Sequence, residues 1–300
     1  MNDLVSVIMP CFNKETSIAH SIESALQQDY RKLELIVIDD GSTDDSVKVV
    51  RTFSDPRLRL LEQNNTGVCQ ARNNGLAMAQ GDFIAFLDAD DTWDIGCLSR
   101  LHAALSDHPD VVIAYCGWQN VGLPGTRGKP FIPPDYENDK KIEQLFENCR
   151  WPIHACLTRR FAIVEAEGFD IRFKQSEDYL LWLKIAAKYS IVRVPEVLAY
   201  YHHNGDSVQA TANVLEAAFM HLDTQLAIVE ELEDFFRFAT TKELKQIAYT
   251  ELLRRAYDCY WRRDLNPAKR MFWRAIKDGY GSFNEYKYFI ASSLLQLYGA

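Results

Sequence analysis

Hydrophobic positions in this chain arrive in two rhythms. Short unbroken apolar runs, LVSVIM (4–9), LELIVI (33–38), a stretch near 57–62, DFIAFL (82–87) and VVIAY (111–115), read as buried strands. Between them apolar residues recur every three or four places. Ile18, Ile22, Ala25 and Leu26 mark one face of a helix over 15–28; Val68, Ala71, Gly75, Leu76 and Ala79 mark another over 66–79, and a third is expected over 96–106. Strand–helix alternation with continuously apolar strands predicts an α/β fold, a parallel sheet with helices on both faces. Pro10 is expected to break the first strand, and Asp44 and Asp45 to occupy the first turn of the helix after the second. Ligands of such sheets collect at the carboxyl ends of the strands, and VIDDGSTDDS and FLDADD both fall there.

The rhythm then changes. Residues 117–138 are rich in Gly and Pro and read as a loop or lid, and 140–208 are mixed, with a helix over 177–188 and strands near 191–194 and 196–201. Beyond Ala210 everything reads as helix: 212–236, 241–263, 266–278 and 284–298. RAYDCYWRRDLNPAKRMFWRAI has the small and aromatic packing positions of one tetratricopeptide-like hairpin (Ala256, Tyr260, Ala268, Phe272, Ala275), but a single repeat makes no solenoid. The expected organisation is a sheet domain over 1–208, with halves at about 1–116 and 117–208, and a helical region over 209–300 docked on it.

Composition narrows the function. A formal charge of −9 over 300 residues argues against a general nucleic-acid binder. Seven cysteines, odd in number and without a CxxC pair, favour neither a zinc site nor a disulfide framework and read as reduced thiols in a cytoplasmic protein. Asp3 stands where a signal peptide would carry positive charge, and no apolar run approaches the ~18 residues of a membrane span. Between Glu251 and Asp278 eight basic side chains face four acidic ones, with Trp261, Phe272 and Trp273 interspersed. That surface allows a peripheral contact at the inner face of a membrane; a solvated helix face is the blander reading.

The chemistry concentrates in acidic motifs. FLDADD puts Asp88, Asp90 and Asp91 within four positions at a strand end. Alternate side chains point the same way, so Asp88 and Asp90 can offer hard oxygen ligands to Mn²⁺ or Mg²⁺, which take one or two carboxylates plus phosphate oxygens and water. The same residues could instead form a solvated turn that caps a helix. FIAFLDADDT also fits the DxDx[TV] signature of haloacid-dehalogenase-like phosphatases, with Asp88 as nucleophile and Asp90 as acid, but the expected downstream acidic pair is missing. In VIDDGS a carboxylate beside a tight turn can accept the N3–H of uracil or simply shape the turn, and Phe12 can stack on a base or serve the core. In QSEDYLLWLKIA, Ser176 can cap a helix whose first turn holds Glu177 and Asp178, pointing in different directions.

Taken in order, VSVIMPCFNKETSIAHSIESALQQDYRKLELIVIDDGSTDDS, NTGVCQARNNGLAMAQGDFIAFLDADD and EGFDIRFKQSEDYLLWLKIA resemble glycosyltransferase family 2 over about residues 4–205. The resemblance implies the GT-A fold, a Rossmann-like, mostly parallel sheet with helices on both faces, and inverting transfer from a nucleotide-diphospho-sugar. It matches Pro10, Phe12, Asn13 and Glu15 to the start of the nucleotide pocket, Asp40 to the uracil carboxylate, and Arg72 to a basic residue near the phosphates. It matches Asp88, Ala89 and Asp90 to the DxD motif, with Asp88 toward the ribose and sugar and Asp90 on the metal, and Glu177-Asp178 to the ED pair whose Asp is the general base. The position of a family histidine near the metal falls on Asn204, so either His203 or His202 substitutes or the third ligand is absent.

The expected activity is an inverting, metal-dependent glycosyltransferase. It would move a hexosyl or N-acetylhexosaminyl group from a UDP-sugar to a glycan or lipid-linked glycan in surface polysaccharide synthesis. The alternatives are the phosphatase, a polyprenyl-phosphate sugar synthase, and a non-catalytic binding module.

Overall fold

The computed structural model describes residues 3–203 and 213–297. Two compact units, Met1–Gly205 and Asp206–Ala300, divide the chain. In the first, strands β1 (Val5–Cys11), β2 (Leu33–Asp39), β3 (Leu58–Glu62) and β4 (Phe83–Phe86) are connected by helices α1 (Ile18–Leu26), α2 (Ser46–Val50) and α3 (Val68–Met78). There follow β5 (Thr92–Trp93), α4 (Cys97–Asp107), β6 (Val111–Val121), α5 (Lys141–Asn148), β7 (Cys156–Arg159), α6 (Arg160–Glu165), α7 (Glu177–Lys188) and β8 (Ser190–His202). They form one eight-stranded sheet in the order β3-β2-β1-β4-β7-β6-β8-β5. The β1–β4 half is parallel, β6 and β8 are parallel to each other, and β7 and β5 run antiparallel to their neighbours.

All seven residues of β1 and of β2 are buried, so both faces of the sheet are covered there, which explains unbroken apolar runs rather than alternation. Two of the polar exceptions are paired: Ser6 donates to Glu34 (2.6 Å), and Arg59 pairs with Glu34 at 3.0 Å. Pro10 does not break β1. It pairs in register with Ile38, and its missing N–H lies on the β4 side, where the ladder has already ended at Phe86. Asp44 and Asp45 precede α2 rather than occupying its first turn, and the Asp44 carboxylate accepts the Ser46 N–H (3.0 Å).

The stretch read as loop or lid begins as strand, because β6 runs on to Val121, and Phe131 returns to bridge Trp118. The two strands expected over 190–201 are one, β8, whose register against β6 slips where Pro195 and Glu196 go unpaired. Sequence periodicity missed α5, β7 and α6, which are too short for a repeating pattern.

The second unit holds α8 (Val214–Glu231), α9 (Thr241–Trp261), α10 (Leu265–Lys277) and α11 (Phe283–Leu297). Of the hairpin pattern's packing positions, Ala256, Ala268, Phe272 and Ala275 are fully buried in it and Tyr260 is partly exposed. Thr240 and Glu243 close a reciprocal capping box at the start of α9. All seven cysteines are free. Among the described residues no helix is long and apolar enough to cross a membrane.

Candidate active site

Three loops meet at the carboxyl edge of the parallel strands. Those after β1 and β2 are knitted together. Asn13, held in a left-handed conformation (φ 53°), donates its N–H to Ser42 Oγ (3.0 Å) and accepts the Thr43 N–H (2.8 Å). Lys14 N–H donates to Ser46 Oγ (2.7 Å), Glu15 N–H to Asp44 (3.1 Å), and Asp45 N–H to Glu15 (2.9 Å). The loop after β4 joins them through Ser17 Oγ, which donates to the Ala89 carbonyl (3.0 Å). Asn13, Glu15 and Ala89 thus frame the cleft through loop bonds. Phe12 is 40% exposed there, which removes it from the core.

A buried cation organises the centre. A Cβ on Gly75 of α3 would lie 2.4 Å from Ile8 Cγ2, so only glycine lets α3 settle this closely on β1. One turn earlier, Arg72 is 3% exposed and donates to Asp88 (2.8 Å) and to Glu177 (2.5 Å), partners 16 and 105 residues away in sequence. Burial opposes the guanidinium charge, but the two carboxylates hold it firmly ionised. Its face rests 5.4 Å from the Phe169 ring centre. Arg72 therefore couples the DxD and ED motifs directly.

Beside Glu177, Asp178 accepts the Tyr179 N–H (2.8 Å). Burial first, and then the Glu177 charge, push its carboxyl up to about 7, with Arg72 pulling the other way. A carboxyl at that value is poised to exchange a proton near neutrality. Ser176 occupies the N-cap position of α7 but in a left-handed conformation (φ 61°), and its side chain does not cap the helix as expected.

The three aspartates after β4 have separate surroundings. Asp88 faces Arg72. Asp90 is ion-paired with Lys14, both partly exposed. Asp91 is buried; burial, reinforced by the charges of Asp88 and Asp90, raises its carboxyl well above the usual range. One Asp91 oxygen accepts the His202 N–H (3.0 Å), and the other lies 3.1 Å from Nδ1 of the buried His154, whose imidazole burial depresses to about 4. Asp91 ties the acidic turn to β8.

Two of the expected site residues already have protein partners. Asp40, matched to the uracil carboxylate, accepts Gln63 Nε2, the Thr66 N–H and the Gly67 N–H, each at 2.8 Å, so both its oxygens hold the loop after β3. Asp39 Oδ1, by contrast, is buried without a hydrogen-bond partner. His203, expected as a metal ligand, has Nε2 2.7 Å from Asn120 Oδ1. Among the described residues no three His, Cys, Asp or Glu side chains converge on a metal position. Adjacent residues of a strand face opposite ways. His202 is the one on the acidic side: Nε2 lies 2.8 Å from Thr92 Oγ1, and its imidazole is lowered by burial against the pull of Asp90. Asn204 lies outside the described residues. Lys14 and Asp39 Oδ1 escaped the sequence reading because nothing in the pattern distinguishes a lysine that pairs across loops, or says which of two adjacent aspartates keeps an unpartnered oxygen.

A mixed, mostly parallel sheet with an acidic cleft at its carboxyl edge is the GT-A fold. Residues 1–349 of S. aureus TarS in complex with UDP-GlcNAc superpose with a TM-score of 0.65 at 18% identity, covering 89% of this chain and 80% of that one. The mannosyltransferase PcManGT from Pyrobaculum calidifontis, in complex with GDP-Man and Mn²⁺, gives 0.58 at 20% identity, covering 98% and 87%. The family model Glycosyl transferase family 2 matches residues 6–168. The chain belongs to that family and is a glycosyltransferase. The UDP-Glc:alpha-D-GlcNAc-diphosphoundecaprenol beta-1,3-glucosyltransferase WfgD of Escherichia coli is 37% identical over 183 residues, 61% of this chain and 69% of that protein. Family membership sets aside the phosphatase reading of DADDT.

Proposed function

We propose that this chain is an inverting, metal-dependent glycosyltransferase that moves a hexose from a UDP-sugar to a hydroxyl of a lipid-diphosphate-linked sugar during surface polysaccharide synthesis. The observation that carries the reading is Arg72, which draws the Asp88 and Glu177 segments to one point and so sets Asp178 beside the DxD turn. Support for the donor and acceptor classes comes from WfgD, whose name states UDP-Glc and a diphosphoundecaprenol-linked acceptor.

The donor set suits a hard divalent cation. Asp88 and Asp90 are partly exposed carboxylates, and the lack of a third protein ligand among the described residues leaves positions for diphosphate oxygens and water. When bound, Mn²⁺ or Mg²⁺ would neutralise charge on the departing diphosphate. The rest falls to the chain. Asp39 offers its unpartnered oxygen to the uracil N3–H, and Phe12 a face to the base. Asp178, ionised, takes the proton of the acceptor hydroxyl as that oxygen bonds to the anomeric carbon. The bond to the diphosphate breaks with its electron pair leaving on UDP. Attack and departure on opposite faces invert the centre.

Calorimetry with UDP tests this. Binding should strengthen with Mn²⁺ in the parent chain, and Asp90→Ala should abolish that gain. Equal affinity with and without metal in both proteins would remove the ion from the scheme. Screening nucleotide sugars against a GlcNAc-diphospholipid then identifies the donor.

A further inference from the structure

Apolar side chains on the outer surface of the helical unit are too ordered to be incidental. On α11, Phe283, Tyr286, Ile290 and Leu294 follow a helical spacing that keeps them on one face. Phe283 is 87% exposed and the other three are 47–48% exposed. The stripe continues sideways onto α10. Tyr286 meets Phe289 edge-on at 6.4 Å, and Phe289 stacks on the half-exposed Trp273 at 5.2 Å. Such a contiguous apolar surface normally marks a contact.

Charge identifies the contact. From Leu265 to Leu297 the carboxylates are Asp278 and Glu285, and both are engaged: Asp278 by Arg274 and Tyr249, Glu285 by Ser282 and Tyr257. The cations Lys269, Arg270, Lys277 and Lys287 have no ion pair among the described residues. On α10, Lys269, Arg270 and Lys277 share the face of Trp273 at spacings of three and four, and Lys287 follows Phe283 by four on α11. A chain of net charge −9 thus presents one face where aromatic and aliphatic groups are rimmed by cations alone. An acidic protein partner would match the rim. A row of exposed Phe, Ile and Leu beside Trp and Tyr instead suits burial among acyl chains, with the amphipathic rings at headgroup level.

We propose that the α10–α11 face docks on an anionic phospholipid bilayer, with Phe283, Ile290 and Leu294 inserted at the interface and the four cations on lipid phosphates. The proposal does not depend on the donor or acceptor assigned above. Each cation near such a surface adds about fivefold in affinity, an effect that salt screens.

Flotation of the full chain with vesicles of phosphatidylcholine alone, or with 30% phosphatidylglycerol (on the order of biological anionic content), tests it. Binding is expected to the anionic vesicles only, to weaken as salt rises, and to fall about tenfold or more in Phe283→Ser/Ile290→Ser and in Lys277→Glu/Lys287→Glu, with melting temperature and UDP binding unchanged. The charge-reversal pair serves if the apolar pair misfolds. Absence of binding at low salt, equal binding to neutral vesicles, or a stable dimer dissolved by Phe283→Ser/Ile290→Ser would each overturn the proposal, the last by making the face a self-association surface.

Discussion

The value of about 7 for Asp178 makes its neighbour Glu177 a sensitive handle on the reaction. If Asp178 is the base, only its ionised form accepts the acceptor's proton. At pH 6 about a tenth of it is ionised, and kcat/KM should fall about tenfold for each further unit of acidification. Above neutrality the profile should level off. The donor's diphosphate, esterified at both ends, does not titrate in this range, so the acid limb reports the free enzyme. Glu177→Gln keeps a side-chain oxygen for Arg72 but removes the second cause of the elevation, and it leaves the Arg72 charge less compensated beside Asp178. Both changes favour the carboxylate, so the limb should move down by about one unit. Initial rates of UDP release at limiting donor, from pH 5 to 9 at fixed Mn²⁺, measure it. A flat parental profile, or a limb that stays or rises in Glu177→Gln, refutes the assignment.

The same shift has a consequence for stability. A carboxyl raised on folding binds its proton more tightly in the native state. Its favourable contribution is complete below the ordinary carboxylate value and is lost as pH rises through about 7. Asp178→Asn should therefore raise the melting temperature more at pH 8 than at pH 5, while transfer drops about 10²–10⁴-fold. Equal melting shifts at the two pH values would mean that Asp178 is not elevated.

Other substitutions probe the frame around it. Arg72→Met should cost about 3–5 kcal/mol in denaturant unfolding, because two carboxylates lose their buried cation. Gly75→Ala should lower stability by about 1–2 kcal/mol despite the better helix former, since Ile8 is fully buried and has little room to move away from the new methyl. Asp39→Asn should weaken UDP binding tenfold or more in calorimetry with little change in melting, whereas Asp40→Ala should lower the melting temperature by freeing the loop after β3. The reverse outcome would return the base contact to Asp40.

The difference between Asp39 and Asp40 also shows where sequence reading stops. Strands β1, β2 and β4 were legible because burial on both faces demands runs of apolar residues, and α7 because its acidic first turn and apolar face are local features. Local rules likewise located every acidic motif at a strand or helix end. Which oxygen of a motif remains available is decided by non-local bonds. Gln63, Thr66 and Gly67 take up Asp40, Lys14 meets Asp90 from 76 residues away, and His202 and His154 converge on Asp91 from β8 and the segment before β7. None of these bonds leaves a periodicity. The pairing of Arg72 with Glu177 is the extreme case: a basic residue matched to the phosphates proves buried between two carboxylates. A second cation near the DxD turn could serve the phosphates beside it. Lys14 is partly exposed and already at the DxD turn, so it can exchange Asp90 for a diphosphate oxygen once a metal claims that carboxylate. The ion and the donor would then bind as a set, and Lys14→Ala should weaken UDP binding in the presence of Mn²⁺ far more than in its absence.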